Sequence, residues 1–204
     1  MNMIIINEIK NKHSIFIHLP NFMNKNYINE LEQITNWRGG DYSTQNVNRS
    51  QQFFHINDEP FCKLWKKNPE RWQSMPYYSW LLEMQIQLQR ELEETISPLY
   101  EAYGITPLNF KSALINKYKD GNDFIPPHFD TTDHEEPTIV SVSFGATRTF
   151  VVKRILFDQE REYKYELNHG DVFIMAGLSQ RNFTHEILKD STIENPRYNI
   201  TFRG

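Results

Sequence analysis

Residues 138–150 read TIVSVSFGATRTF. Val140, Val142 and Phe144 alternate with Ser141 and Ser143, the period-two pattern of a strand with two unlike faces. Gly145 opens a turn, and 148–154, RTFVVKR, supply a second strand. This pair predicts a β fold, and the flanking sequence extends it in both directions. Upstream, FKSALINKY (110–118) is a strand that stops at the turn KDGND (119–123). Downstream, YKYEL (163–167) passes through the turn NHGD into VFIMAG (172–177), and FTHEI (183–187) and RYNITFR (197–203) follow. Six to eight short strands with tight turns imply a sandwich or barrel, here a jelly-roll-like barrel behind helices.

Residues 1–108 have a different texture, irregular with candidate helices. NKNYINELEQI (24–34) predicts a short helix with Asn24 as cap. YYSWLLEMQIQLQRELEETI (77–96) predicts a long one, with Leu81, Met84 or Gln85, Leu88, Leu92 and Ile96 on one apolar face and Ser97-Pro98 as its end. Between them, WRGGDYSTQNVNRSQQFFHINDEPF (37–61) is long and polar, as functional connections often are. The 204 residues suit one domain, with 1–108 as helices and lid and 109–204 as barrel.

The bulk composition narrows the class. The net charge of −4 argues against wrapping duplex DNA by bulk electrostatics, though a local basic groove remains compatible with it. A single cysteine, Cys62, excludes an internal disulfide and a cysteine-rich zinc site and fits a reducing compartment. The opening MNMIIINEIK has too short an apolar run for a secretory signal, and no stretch approaches a membrane span. An intracellular chain with no membrane partner, acting as a monomer, is the expectation.

Chemistry concentrates in DFIPPHFDTTDHEEP (123–137). His128 and Asp130, two apart, share a face if extended. His185 in FTHEI could supply a third ligand. Two histidines and one carboxylate make the facial set of non-heme Fe(II) oxygenases, which leaves positions open for cosubstrate and O2; zinc accepts the same ligands. In RYNITFR, Arg197, Asn199, Thr201 and Arg203 fall on one face and Tyr198, Ile200 and Phe202 on the other. Two guanidinium groups turned into a barrel need anions, because a buried unpaired charge is costly. The two ends of a small dicarboxylate would serve; a solvated edge strand is the alternative reading.

Taken together, these motifs resemble the AlkB family of Fe(II)/2-oxoglutarate-dependent dioxygenases over about residues 109–204. LINKY resembles that family's Asn-x-Tyr strand, HFD its iron pair, SVSFGATRTF its central hairpin, LNHGDVFIMAGLSQRNFTHEI the approach to its distal histidine, and RYNITFR its closing strand. NRSQQFF (48–54) sits where the family carries its nucleotide-recognition lid. The resemblance implies a double-stranded β-helix (jelly-roll) core backed by N-terminal helices and covered by that lid. It implies His128, Asp130 and His185 as iron ligands, Asn116, Tyr118 and Asn199 at 2-oxoglutarate, Arg197 on its distal carboxylate, and Arg203 nearer the metal.

The implied activity is oxidative demethylation of N-alkylated bases such as 1-methyladenine and 3-methylcytosine in DNA or RNA, consuming O2 and releasing formaldehyde, succinate and CO2. The base must be flipped out or already single-stranded. Phe53, Phe54, His55, Tyr77, Tyr78 and Trp80 are candidate stacking partners, Arg49 and Arg181 candidate phosphate contacts, and Lys63, Lys66, Lys67 and Arg71 a modest basic cluster. In one respect this chain departs from the family. Asp130 is followed by Thr131 and Thr132, and the acidic base reader expected just after the iron aspartate arrives only at Asp133. His134, Glu135 and Glu136 read as loop, and His169 as a turn residue. Two other functions share the fold: hydroxylation of a protein or small molecule, and an inactive RNA-binding barrel.

Overall fold

The computed structural model describes residues 1–9, 11–39, 49–59, 73–130, 132, 135–155 and 161–204. Asp133, His134, Cys62, Lys63, Lys66, Lys67 and Arg71, with most of the expected lid, lie outside these residues.

Two antiparallel sheets form the frame. The larger runs β1 (Asn2–Ile9), β2 (Lys12–Leu19), β10 (Val172–Gly177), β7 (Ile139–Gly145), β12 (Arg197–Arg203), β5 (Ser112–Tyr118), β4 (Ser50–His55) and β3 (Arg38–Gly39). The smaller runs β6 (Ile125–His128), β11 (Phe183–Ile187), β8 (Arg148–Arg154) and β9 (Glu162–Leu167). All seven strands expected from alternation are present, in a jelly-roll order that brings the chain's last strand between β7 and β5.

Alternation decides what each face does. Val140, Val142, Phe144, Tyr198, Ile200 and Phe202 turn one face of the large sheet onto helix α2 (Ser79–Tyr103), whose Leu81, Met84, Leu88, Leu92 and Ile96 are fully buried against it. On the other face, Ile139, Phe173 and Met175 meet Phe150, Val152 and Phe183 of the small sheet. This second core closes one end of the space between the sheets, and the polar residues of β5, β7 and β12 line the rest.

The N-terminal half differs from expectation at several points. β1 and β2 form a hairpin that extends the large sheet, where irregular chain was expected. Ile15 and Ile17 pack toward the helix side while Phe16 packs between the sheets, so β2 is buried on both faces and shows no alternation. Asn24 does not cap helix α1 (Ile28–Glu32): the N-cap is Tyr27, which makes no side-chain capping bond, and Asn26 Oδ1 accepts from the Ile28 amide in the turn that leads in. Pro98 does not end α2. The helix continues to Tyr103 and stops at Gly104, which sits at φ 62°. Leu99, Tyr100 and Tyr103 pack on the core beyond the proline. That packing outweighs the helix-interior cost of proline, about 3 kcal/mol.

Candidate active site

The small sheet delivers two histidines to one point. β11 and β6 pair so that His185 lies directly opposite His128, with ring centroids 4.3 Å apart. The Nδ1–H of His128 donates to the Pro126 carbonyl at 2.9 Å, which leaves the Nε2 lone pair facing inward. β6 ends at His128, so Asp130 is not on a strand. Its backbone is held instead by the amide, which donates to Gln180 Oε1 at 2.8 Å. Asp130 Oδ1 then stands 3.8 Å from His128 Nε2 and 3.9 Å from His185 Nε2. The ligating atoms of all three lie within 4.8 Å of one another.

The second oxygen, Oδ2, accepts from Arg203 Nη2 at 2.7 Å. Burial alone would raise the Asp130 carboxyl. The fields of Arg203, His185 and His128 more than reverse this, and it stays ionised far below the ordinary range. Burial, with His128 beside it, pushes His185 down to about 3, so its imidazole is neutral and free to ligate. One anionic oxygen and two neutral ring nitrogens fit a divalent first-row metal with open positions.

The large sheet supplies the other end of the cavity. Arg197 pairs across with Tyr118, and Asn199 with Asn116, so all four point into the space between the sheets. Arg197 is 2% exposed. Its Nη2 donates to Ser143 Oγ at 2.9 Å and its guanidinium lies 5.3 Å from the Tyr118 ring centroid. Among the described residues its Nε and Nη1 have no hydrogen-bond partner. Burial lowers its pKa to about 10, still leaving it charged at neutral pH. A buried cation with two donors that meet no acceptor among the described residues fits a carboxylate that comes with a ligand.

Asn199 is fixed by Ser141 Oγ at 2.6 Å, and Asn116 Oδ1 accepts from Arg49 Nε at 3.1 Å. One cavity is lined at once by the triad, by Arg197 and Arg203, and by Asn116 and Tyr118. The chemistry of the two ends suits a small dicarboxylate held between the metal ligands and Arg197.

The substrate candidates separate. Arg49, expected at a phosphate, instead reaches into the cavity. Phe53 lies opposite Leu114 on the cavity side of β4, 3% exposed, but does not line the cavity. His55 ends that strand, its Nδ1 accepting from the Asn57 and Glu59 amides. Phe54 is a correction. It is 0% exposed on the opposite face of β4, packed on the helix layer. Tyr78 belongs with it, 5.6 Å from Phe54 and stacked on Trp80 at 5.9 Å, and Tyr77 donates its hydroxyl to Gln85. The residue next to Phe54 in sequence therefore faces the barrel interior, while Phe54 itself is core. Arg181 is exposed, and His169 is a turn residue as expected, its Nδ1 accepting from the Gly145 amide. His18 is bonded to the buried Asp171 at 2.8 Å. Gln180 and Ser143 carry positioning bonds that nothing in their spacing signals.

A jelly roll with this facial set and this buried arginine matches one family. The profile of the 2OG-Fe(II) oxygenase superfamily covers residues 16–203, and the chain belongs to that superfamily. Its relatives bear out the AlkB resemblance. It is 30% identical over 135 residues to the DNA oxidative demethylase ALKBH2 of Arabidopsis thaliana, covering 55% of this chain and 42% of that one. It is 36% identical over 103 residues to the alpha-ketoglutarate-dependent dioxygenase alkB homolog 3 of Homo sapiens, covering 46% and 36%. The matched region thus spans less than half the length of these relatives. The solved structure of OsALKBH1 superposes with a TM-score of 0.63 over 93% of this chain and 96% of that one, at 16% identity, and shows the same fold.

Proposed function

We propose that this protein removes alkyl groups oxidatively from base nitrogens in DNA or RNA, using Fe(II), 2-oxoglutarate and O2. The observation that carries the reading is one cavity with three metal-ligating atoms at one end and an uncompensated buried guanidinium at the other. The names of the relatives, DNA oxidative demethylase ALKBH2 above all, support a nucleic-acid substrate. When bound, iron and 2-oxoglutarate supply the oxidation of an N-methyl group, with formaldehyde, succinate and CO2 as products.

The chain's own groups bind and orient. Arg197 and Ser143 take the distal carboxylate, with Tyr118, Asn116 and Asn199 beside it. Arg203 engages one oxygen of Asp130 and leaves the other to the metal. His128 is held in the ligating tautomer by the Pro126 carbonyl. Arg49, tied to Asn116, approaches the side where a flipped or single-stranded base would enter. The preference for single strands, action as a monomeric single domain, and an intracellular location belong to the same proposal; the lone cysteine supports the last.

The test is formaldehyde and succinate release with oligonucleotides carrying 1-methyladenine or 3-methylcytosine. Lesion-dependent turnover abolished by His128→Ala is expected. Succinate formed with no change in any methylated oligonucleotide would sink the nucleic-acid reading and leave hydroxylation of a protein or small molecule.

A further inference from the structure

Arg148 opens β8 and is 1% exposed, yet it neither touches the triad nor lines the cavity. Its guanidinium is spent on three backbone carbonyls. Nη1 donates to Asp120 at 3.1 Å, and Nη2 to Asp123 at 2.7 Å and to Leu188 at 2.6 Å. It also lies over the Tyr118 ring, 5.6 Å from the centroid, while Arg197 lies over that same ring at 5.3 Å.

The places where those carbonyls sit matter more than their number. Asp120 follows Tyr118, the last residue of β5. Asp123 precedes Ile125, where β6 begins on its way to His128. Leu188 follows Ile187, the last residue of β11, which carries His185. Tyr118, Ile125 and Ile187 all line the cavity. The two loops so gripped are also knit to each other, the Gly121 amide donating to Ile193 and the Asp190 amide to Gly121. One side chain therefore ties together the strand that presents Tyr118 and both strands that present metal-ligating histidines.

We propose that Arg148 is a positioning residue for 2-oxoglutarate: it holds the Tyr118 ring and the two loops at the distal end of the cavity in register with Arg197, so that the dicarboxylate meets a preformed site. The inference rests on the proposed cofactor use. A lysine keeps the charge but cannot fork over three carbonyls, so Arg148→Lys is the informative variant. Its Kd for 2-oxoglutarate, measured anaerobically with Mn(II) in the metal site, rises about ten-fold or more, as when a residue that orients a ligand-contacting side chain is lost. In turnover, KM for 2-oxoglutarate rises in parallel, while kcat at saturating 2-oxoglutarate stays within about two-fold. A residue needed only for folding would lower the active fraction and kcat and leave Kd and KM alone. That outcome overturns the proposal.

The wild-type protein provides a second measurement that does not depend on the variant folding. Adding 2-oxoglutarate should slow hydrogen exchange at the Gly121, Asp190 and Ile193 amides, and unchanged exchange there overturns the coupling. If wild-type protein does not bind 2-oxoglutarate at all, it is the cofactor reading that fails. If it binds but Arg148→Lys binds equally well, only this inference fails.

Discussion

Replacing Arg197 by methionine should act in opposite directions on the empty and the loaded protein. In the empty protein the guanidinium is buried against Ser143 and Tyr118, its Nε and Nη1 have no hydrogen-bond partner, and no acidic side chain is paired with it among the described residues. Exchanging a buried charge for an apolar side chain of similar length is commonly neutral or stabilising by about 1–4 kcal/mol. Loss of the Ser143 bond offsets about 1 kcal/mol of that. The stability of the empty Arg197→Met protein should therefore match or exceed wild type.

Loaded, the same change removes the anchor for a carboxylate. Two charge-assisted hydrogen bonds at about 1.5–3 kcal/mol each put the loss near 3–6 kcal/mol. At 1.4 kcal/mol per decade that is roughly 100- to 10,000-fold in Kd. Thermal unfolding with Mn(II) reads both effects. At 2-oxoglutarate about 100 times Kd, wild type gains about 2.7 kcal/mol, which is roughly 5–10 °C in Tm for a chain of this size. Arg197→Met should show no such shift at that concentration. A variant whose empty form loses more than about 2 kcal/mol, and which still shifts like wild type, would refute the claim that Arg197 is held for a ligand.

Three further outcomes follow from the geometry. Phe54→Ala should cost about 3–5 kcal/mol in urea unfolding, as for a fully buried phenylalanine, with KM for a methylated oligonucleotide unchanged per folded molecule; a raised KM with unchanged stability would return Phe54 to the substrate site. Gly121→Ala places a Cβ 1.6 Å from the Asp190 carbonyl oxygen, so it should destabilise by roughly 3 kcal/mol or more, and a variant as stable as wild type would contradict the loop packing. Asp171→Asn should cost about 2–4 kcal/mol near pH 7, because Asp171 accepts from the Asn21 and Asn168 amides and pairs with His18. Burial raises the Asp171 carboxyl, but those amides and His18 outweigh it and hold the group below its ordinary value. Its contribution is therefore present above the unfolded-state pKa of about 3.9 and fades as pH falls through the lower folded-state value. The gap between wild type and Asp171→Asn should narrow below about pH 4, and a gap independent of pH would show that the ionised carboxylate is not the source.

The barrel was legible where a strand has two unlike faces. β7 and β12 each present an apolar row to the helices and a polar row to the cavity, and the sequence shows both rows as alternation. β2 was not legible, because Ile15, Phe16 and Ile17 are buried on both sides and leave no period to detect. β6 hid behind Pro126 and Pro127, which are compatible only with an edge strand, the place β6 occupies. Pro98 misled for the reverse reason: a local cost was visible, and the packing that outweighs it was not. At the site, ligand types and their order along the chain could be read. What could not be read is which atom each group spends on which partner, since Gln180, Ser143 and Arg148 act through bonds across elements distant in sequence.

Arg197 and Arg203 show why that distinction bears on function. They stand on the same face of the same strand, and strand alternation alone treats them alike. Arg203 meets an anion within the chain, the Oδ2 of Asp130, and the contact orients that carboxylate so that Oδ1 faces both histidines. Arg197 meets Ser143 and Tyr118, with no acidic partner among the described residues. A guanidinium with an internal counter-ion helps build the metal-binding end before any ligand arrives. One without such a counter-ion leaves the empty site electrostatically incomplete, and an incoming carboxylate relieves that cost on binding. The order of charges along β12 thus separates a metal end from a dicarboxylate end within a single cavity. It accounts for why two arginines six positions apart are both buried without competing for the same anion.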